Sequence, residues 1–154
     1  MNGFSLKIEK ILEILIERGG YKEVLIGLQN TVLIAVAGLI IGTVIGTLIA
    51  AVRVLPKHSK IVKALDGFCS FYVGLFRGTP MVVQLLVFYY VMLPLMGIRM
   101  SSVVVAITVF GLNSGAYISE IMRAGILSVD PGQMEGARSV GLSYTSAMMK
   151  IVIP

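Results

Sequence analysis

Three stretches of the chain run almost without charge, and the segments around them repeat their apolar positions every three to four residues. Val24 to Val52 holds only Gln29 and Asn30 as strongly polar side chains. Within it, the 22 residues from Thr31 to Val52 carry no charge. A helix of that length rises about 33 Å, enough to cross a hydrocarbon core of about 30 Å. A second run, Gly78 to Ile98, lies between Arg77 and Arg99, with Pro80 in its first turn, where a missing N–H costs little. A third, Met100 to Ser119, lies between Arg99 and Glu120 and is less apolar, containing Ser101, Ser102, Thr108, Asn113, Ser114 and Ser119. Only Arg99 separates the second run from the third, so Leu93-Pro94-Leu95-Met96-Gly97 is expected to turn the chain in a hairpin. The pattern predicts an all-α, polytopic membrane protein with spans at about 24–52, 78–98 and 100–119.

Two further segments are amphipathic. In residues 1–23, Ile8, Ile11, Leu12, Leu15 and Ile16 recur at helical spacing, opposite Lys7, Glu9, Lys10, Glu13, Glu17 and Arg18. This predicts an interfacial helix closed by Gly19-Gly20, set apart from a transmembrane domain over 24–154. It lacks the cationic start, apolar centre and small-residue cleavage site of a secretory signal. In residues 57–76 a stripe of Ile61, Leu65, Phe68, Tyr72 and Phe76 opposes Lys60, Lys63 and Asp66. That segment is expected either to lie at the membrane surface or to lead obliquely into the second span.

Composition narrows the function. The 154 residues are 56% hydrophobic and 14% charged, with a mean hydropathy of +0.92. A soluble domain carries roughly 25% charged residues, so a soluble enzyme is excluded, as is a disordered chain. One cysteine and one histidine make neither an internal disulfide, nor a zinc-ligand cluster, nor a nucleophile–base set. His58 reads as a solvated loop residue and Cys69 as a small packed hydrophobe. No cofactor or metal is expected, and no enzyme activity. The formal charge of +5 comes from basic residues flanking apolar runs, which points to lipid headgroups rather than nucleic acid. With three spans, segments 53–77 and 120–154 share one side. That side holds Arg53, Lys57, Lys60, Lys63, Arg77, Arg123, Arg138 and Lys150, eight of the 13 basic residues. It is expected to be the cytoplasm, with the N-terminus extracytoplasmic.

The spans carry features beyond an anchor. Gly38, Gly42, Gly46 and Ala50 are each four apart, forming a small-residue face that lets helix backbones approach closely. Its partner is either this chain or a second subunit. Gln84, Asn113 and Ser114 are polar groups at membrane depth, which face a water-filled path or bond between helices. Glu120 is placed to pair with Arg123 one turn later. No G-x-x-x-x-G-K-[ST] loop is present, so any active transport must draw its energy from another polypeptide or an ion gradient.

After the third span, Asp130 is a good N-cap, Pro131 suits the first helical position and Gln133 sits where a capping-box partner falls. The helix is expected to stop at Gly141, and Ser143 to cap a second short helix ending near Lys150, before Pro154. Small residues Gly136, Ala137 and Ala147 would let another protein come close. Here the chain resembles the permease subunits of bacterial ATP-binding-cassette importers, whose signature is E-A-A, three residues, G, nine residues, I-x-L-P. The chain has Glu135-Gly136-Ala137, three residues, Gly141, nine residues, then Ile151-Val152-Ile153-Pro154. Gly replaces the middle Ala and Ile replaces Leu. Arg77-Gly78-Thr79-Pro80 with Val83-Gln84-Leu85, Asn113-Ser114-Gly115-Ala116-Tyr117 with Glu120, and Gly132-Gln133 resemble the polar amino-acid branch, the histidine, glutamine, glutamate and arginine group. Met134 departs from the usual Trp.

The resemblance implies a permease subunit paired with a second, identical or related one. Two ATPase subunits and an extracytoplasmic substrate-binding protein would serve the pair, and the cargo would be an amino acid. It assigns residues 130–154 to a cytoplasmic coupling loop, with Gly132, Glu135, Gly136, Ala137, Gly141 and Pro154 as its motif positions. Glu135 would be a polar anchor, or an i,i+3 partner of Arg138 worth about 0.2–0.5 kcal/mol. The resemblance also implies two further C-terminal spans, so the chain is expected to be a fragment. A non-transporting anchor or inactive truncated permease is the alternative.

Overall fold

The computed structural model describes residues 3–17, 19–56 and 58–153. Expectations resting on Arg18, Lys57 and Pro154 lie outside these residues. All regular structure among the described residues is helical: α1 (Gly3–Leu12), α2 (Gly20–Val54), α3 (Lys60–Gly78), α4 (Met81–Leu95), α5 (Ser102–Leu127), α6 (Pro131–Ser139) and α7 (Tyr144–Ala147). Wider π-helical turns extend α1 over Glu13–Glu17 and α7 over Met148–Val152. A third occupies Phe88–Met92 inside α4. Its cause is Pro94, whose ring crowds the carbonyl four residues back and has no N–H to offer it. The ladder widens, and Leu93 N–H donates to Phe88 O, five residues back.

Helices α2 and α5 are each long and apolar enough to cross a membrane, with mean hydropathies of 2.6 and 1.5 over their most apolar stretches. Both exceed the expected spans, because charged Lys22, Glu23 and Arg53 in α2, and Glu120 and Arg123 in α5, remain helical. Gly19, at φ 72°, precedes α2, so Gly20 opens the span instead of closing the amphipathic helix.

The apolar run 78–98, expected as one span, is not helical throughout: α4 covers Met81–Leu95, and α3 meets it at a bend of 106° at Thr79-Pro80, the pair forming a broken span or a re-entrant loop. Pro80 lies just ahead of α4 as its N-cap, and α3 runs on to Gly78 before it. Leu93–Leu95 stay helical, and the turn falls on Met96–Gly97, where Gly97 takes φ 69° and Ile98 N–H closes on Leu93 O. Ser101 then caps α5 by accepting from Val104 N–H.

Segment 60–78 is built into the bundle against α2 and α5 rather than lying apart from it. The first part of its apolar stripe faces outward, with Ile61 and Phe68 each 72% exposed, whereas Tyr72 and Phe76 are half-buried, Val73 is buried and Asp66, Cys69 and Ser70 are partly covered. In lipid, large apolar side chains gain little by turning inward, so small and polar ones take the helix contacts.

The largest interface joins α2 to α5. Gly38 lies against Phe110, Gly42 against Ser114 and Gly46 against Ile118, so the two helices run parallel and in register. Buried Ala50 completes the row. Helix α5 answers with its own small row: Gly111 meets Ile41, Gly115 meets Ile45, and Ser119 is buried. The small-residue face of the first span is thus occupied within this chain. A Cβ at Gly42 would sit 2.5 Å from Ser114 Cβ and 3.1 Å from Gly115 N, a contact no rotamer relieves. Gly27, in the same helix, has nothing within 4 Å.

Gly42→Ala is therefore expected to lower stability by about 1–3 kcal/mol through overpacking. Gly27→Ala should leave it unchanged or raise it slightly, through helix propensity. Thermal unfolding of the detergent-solubilised variants measures both, and equal melting temperatures would contradict the seam.

Candidate functional site: a stapled helix break, a charge knot and a helical hairpin

The break between α3 and α4 strands backbone carbonyls at membrane depth, because Pro80 has no N–H for Phe76 O. Side chains supply the missing donors. Gln84 Nε2 donates to Phe76 O at 2.8 Å, Thr79 O at 3.0 Å and Thr79 Oγ1 at 2.8 Å. Asn113 Nδ2, from α5, donates to Phe76 O at 3.2 Å and Gln84 Oε1 at 3.1 Å. Thr79 Oγ1 donates back to Leu75 O at 2.8 Å. Two polar residues singled out in the sequence are thus brought together as an interhelical staple. Ser114 is not with them: it packs in the α2 seam, against Gly42. Beside the staple lies an open, largely apolar cavity of about 280 Å³, lined among others by Phe76, Thr79, Val83, Gln84 and Val109. Tyr72 O–H donates to Leu112 O nearby, binding α3 to α5 a turn before the staple.

Two turns further along α5, Glu120 gathers three arginines from three helices. Arg53, at the end of α2, donates to its Oε1. Arg123 holds it with Nε at 3.3 Å from both oxygens and Nη2 at 3.1 Å from Oε2. Arg77, from the end of α3, stands off at 3.8 Å. Asp66 of α3 lies 4.0 Å from Arg53 Nε. The sequence indicated only the Glu120–Arg123 pair. Arg53, Asp66 and Arg77 come from elements whose packing no local spacing encodes, although a charge inside or beside an apolar run was itself the signal.

The hairpin after α5 forms as its caps dictate, with one change. Asp130 Oδ1 accepts from Gly132 N–H at 2.7 Å, and Gln133 contributes its backbone N–H to Asp130 O at 2.9 Å. Gly141, at φ 91°, ends α6 with Gly141 N–H on Arg138 O and Leu142 N–H on Ala137 O, both at 3.1 Å. Ser143 Oγ accepts from Ser146 N–H and starts α7. Ala137, Ala147 and Val152 are buried where α6 folds against α7 and its π-helical end. The helix expected to end near Lys150 continues to Val152. Gly132, Glu135, Gly136 and Val140 face outward, so the hairpin offers a small-residue surface that carries the Glu135 carboxylate. Pro154 lies outside the described residues. His58 is exposed in the turn between α2 and α3.

With this architecture in view, comparison with known proteins is specific. Residues 42–154 match the family described as binding-protein-dependent transport system inner membrane component. A putative glutamine transport system permease protein of Rickettsia bellii is 38% identical over 128 residues, covering 83% of this chain and 56% of that protein. The arginine transport system permease protein of Bacillus subtilis is 35% identical over 131 residues, 85% of this chain and 58% of that protein. The crystal structure of an amino acid ABC transporter with histidines superposes with a TM-score of 0.75 at 33% identity, over 90% of this chain and 63% of that one. The chain belongs to the family of binding-protein-dependent transport system inner membrane components. Its matched relatives are transport permeases, not enzymes, and it spans about three-fifths of their length.

Replacing Gln84 with Leu removes the side-chain donor to Thr79 O, the shorter of the two bonds to Phe76 O and the acceptor for Asn113, and is expected to cost about 1–2 kcal/mol. Asn113→Leu should cost less, because Gln84 still serves Phe76 O. The two losses should not add in a double-mutant unfolding cycle, because the two amides bond each other and share Phe76 O. Strict additivity would show that the two side chains act separately.

Proposed function

We propose that this chain is the membrane-spanning permease subunit of an ATP-driven amino-acid importer, with residues 130–154 as its coupling loop to a separate ATPase. The observation that carries the reading is the hairpin α6–α7. It is a self-capped unit joined to α5 by three residues, with Ala137, Ala147 and Val152 turned inward and Glu135, Gly136 and Val140 turned outward. A moving partner that grips such a unit moves α5 with it, and α5 bears both the charge knot and the Asn113 end of the staple. Gly141 sets the angle between the two short helices, and Ala137 lets them close. The glutamine and arginine permeases among the relatives support an amino-acid cargo.

The family supports ATP-hydrolysing and substrate-binding partners, and the proposal takes these as two ATPase subunits on the cytoplasmic side, a second permease subunit, identical or related, and an extracytoplasmic substrate-binding protein. The parallel register of α2 and α5 supports the orientation, since it sets the end of α2 and the hairpin α6–α7 on one side of the bundle. That side is the cytoplasm by the basic-residue bias. The translocation path runs beside Gln84 and Asn113, along the cavity at the helix break.

Gly141→Val forces a β-branched residue into left-handed backbone, which costs L-residues about 1–2 kcal/mol. The variant should lose co-purification with the ATPase and lose uptake, while its melting temperature falls little. Undiminished ATPase binding and uptake would refute the coupling role. In a Cys69→Ser background, Glu135→Cys should react with a membrane-impermeant maleimide in inside-out vesicles and not in intact cells. The reverse pattern would overturn the orientation.

A further inference from the structure

We propose that the first turns of α3 form a seat for an anionic phospholipid, with Lys60 and Lys63 on the headgroup phosphate and the open helix face beyond them against the acyl chains. The seat takes its leaflet, the cytoplasmic one, from the importer reading above. Lys60 and Lys63 open α3, whose first turn holds no acidic residue. They lie three apart, so their side chains share one side of the helix. Both are exposed, and no carboxylate among the described residues is ion-paired with either. The chain offers none nearby: no Asp or Glu occurs between Glu23 and Asp66, and Asp66 itself turns to Arg53. Two cations at the positive end of a helix dipole oppose it and repel each other; an anion between them removes both penalties.

Their height is that of the headgroups. The uncharged run of α2 ends at Val52, and Arg53, the next residue, meets Asp66 at 4.0 Å. Asp66 therefore marks the margin of the apolar layer on α3. Lys63 and Lys60 precede it by three and six residues, about 5 and 9 Å along a helix axis. The polar layer on each side of a hydrocarbon core is about 5–8 Å deep, so both ammoniums fall within it or at its outer edge.

In the other direction α3 turns bare surface to the tails. Gly67 lies one turn beyond Lys63 on the same side, with nothing within 4 Å of a Cβ placed on it. Ala64 is exposed, and Ile61, Phe68 and Phe71 stand around this strip, 72%, 72% and 69% exposed. A small open strip beside aromatic rings, headed by two ammoniums, repeats the polarity order of a phospholipid: anionic head, then apolar chain. A protein helix on this face would have to bring carboxylates to the lysines, whereas a phosphate already carries its charge at their height. The bound lipid would fix the start of α3, the helix whose Asp66 enters the charge knot and whose far end forms the bend.

The chain contains no tryptophan, so a single one reports on the lipids around it. The test uses Phe68→Trp in the full chain, reconstituted in nanodiscs of equal parts dioleoylphosphatidylcholine and dioleoylphosphatidylglycerol, with one lipid or the other brominated at mid-chain. Brominated phosphatidylglycerol should quench the indole more strongly, with a preference of roughly fivefold per lysine at low salt that shrinks at about 1 M salt. Lys60→Gln with Lys63→Gln should abolish the preference, and Lys60→Arg with Lys63→Arg should keep it. Leu33→Trp, on an exposed position in the first half of α2, should show none. Equal quenching by the two lipids at Phe68→Trp, a preference that survives the double Gln variant, or the same preference at Leu33→Trp would overturn the seat. So would the absence of quenching by either lipid, which would mean that a protein surface, a second copy included, covers the face. A preference without ATP-driven uptake by the reconstituted importer keeps the seat and removes the importer reading with its leaflet. Uptake without a preference removes the seat alone.

Discussion

Two parallel helices in lipid gain nothing from withdrawing apolar surface, since the tails they displace are as apolar as leucine. What holds α2 to α5 is contact at a distance that only glycine permits. Gly38, Gly42 and Gly46 admit the α5 backbone, and Gly111 and Gly115 return the accommodation to Ile41 and Ile45. Everything else is hung on this seam. Helix α3 packs across both members, Tyr72 fixes it to Leu112 on α5, and α4 packs on Val105 and Val109 of the same helix through Leu85, Phe88 and Leu93. The hairpin is the direct continuation of α5.

Polar groups then secure what packing alone leaves loose. The staple of Gln84 and Asn113 repairs the hydrogen bonding that Pro80 interrupts, and it does so between helices, so the bend is braced by α5. The charge knot around Glu120 ties the ends of α2 and α3 to α5 about 10 Å further along, at seven residues of about 1.5 Å each. One helix carries both clasps and leads into the hairpin α6–α7, so a displacement of that hairpin would reach the bend through α5.

The two long apolar helices and the caps of the hairpin are legible in the sequence because each is local. Apolar runs mark where a helix lies, though not how far it continues into charged residues, and Asp130, Pro131, Gly141 and Ser143 declare their own helix ends. The second span departs from its expected form because a run without charge does not report a change of direction. Pro80 suits the start of a helix wherever the preceding chain points, and the stripe over 57–76 allows an oblique lead into Met81–Leu95 without fixing the bend. The stripe of Ile61, Leu65 and Phe68 is visible, but its direction depends on whether the solvent is water or lipid. The far partners of Glu120 lie beyond reach for another reason: Arg53 and Arg77 meet it only because three helices converge. Gly111-x3-Gly115-x3-Ser119 lies in plain sight, and the spacing rule that finds the row on α2 finds it too.

A parallel pair has a consequence for how the chain is made. Neighbouring antiparallel helices meet as soon as the second is synthesised, but α2 must wait for the chain to go out and back before α5 arrives beside it. During that interval its groove of bare backbone stands open to whatever the translocation machinery or the bilayer supplies. The newborn first span is thus the stage at which a wrong companion would do most harm, and the same four small residues that later lock the bundle are what leave it vulnerable until then.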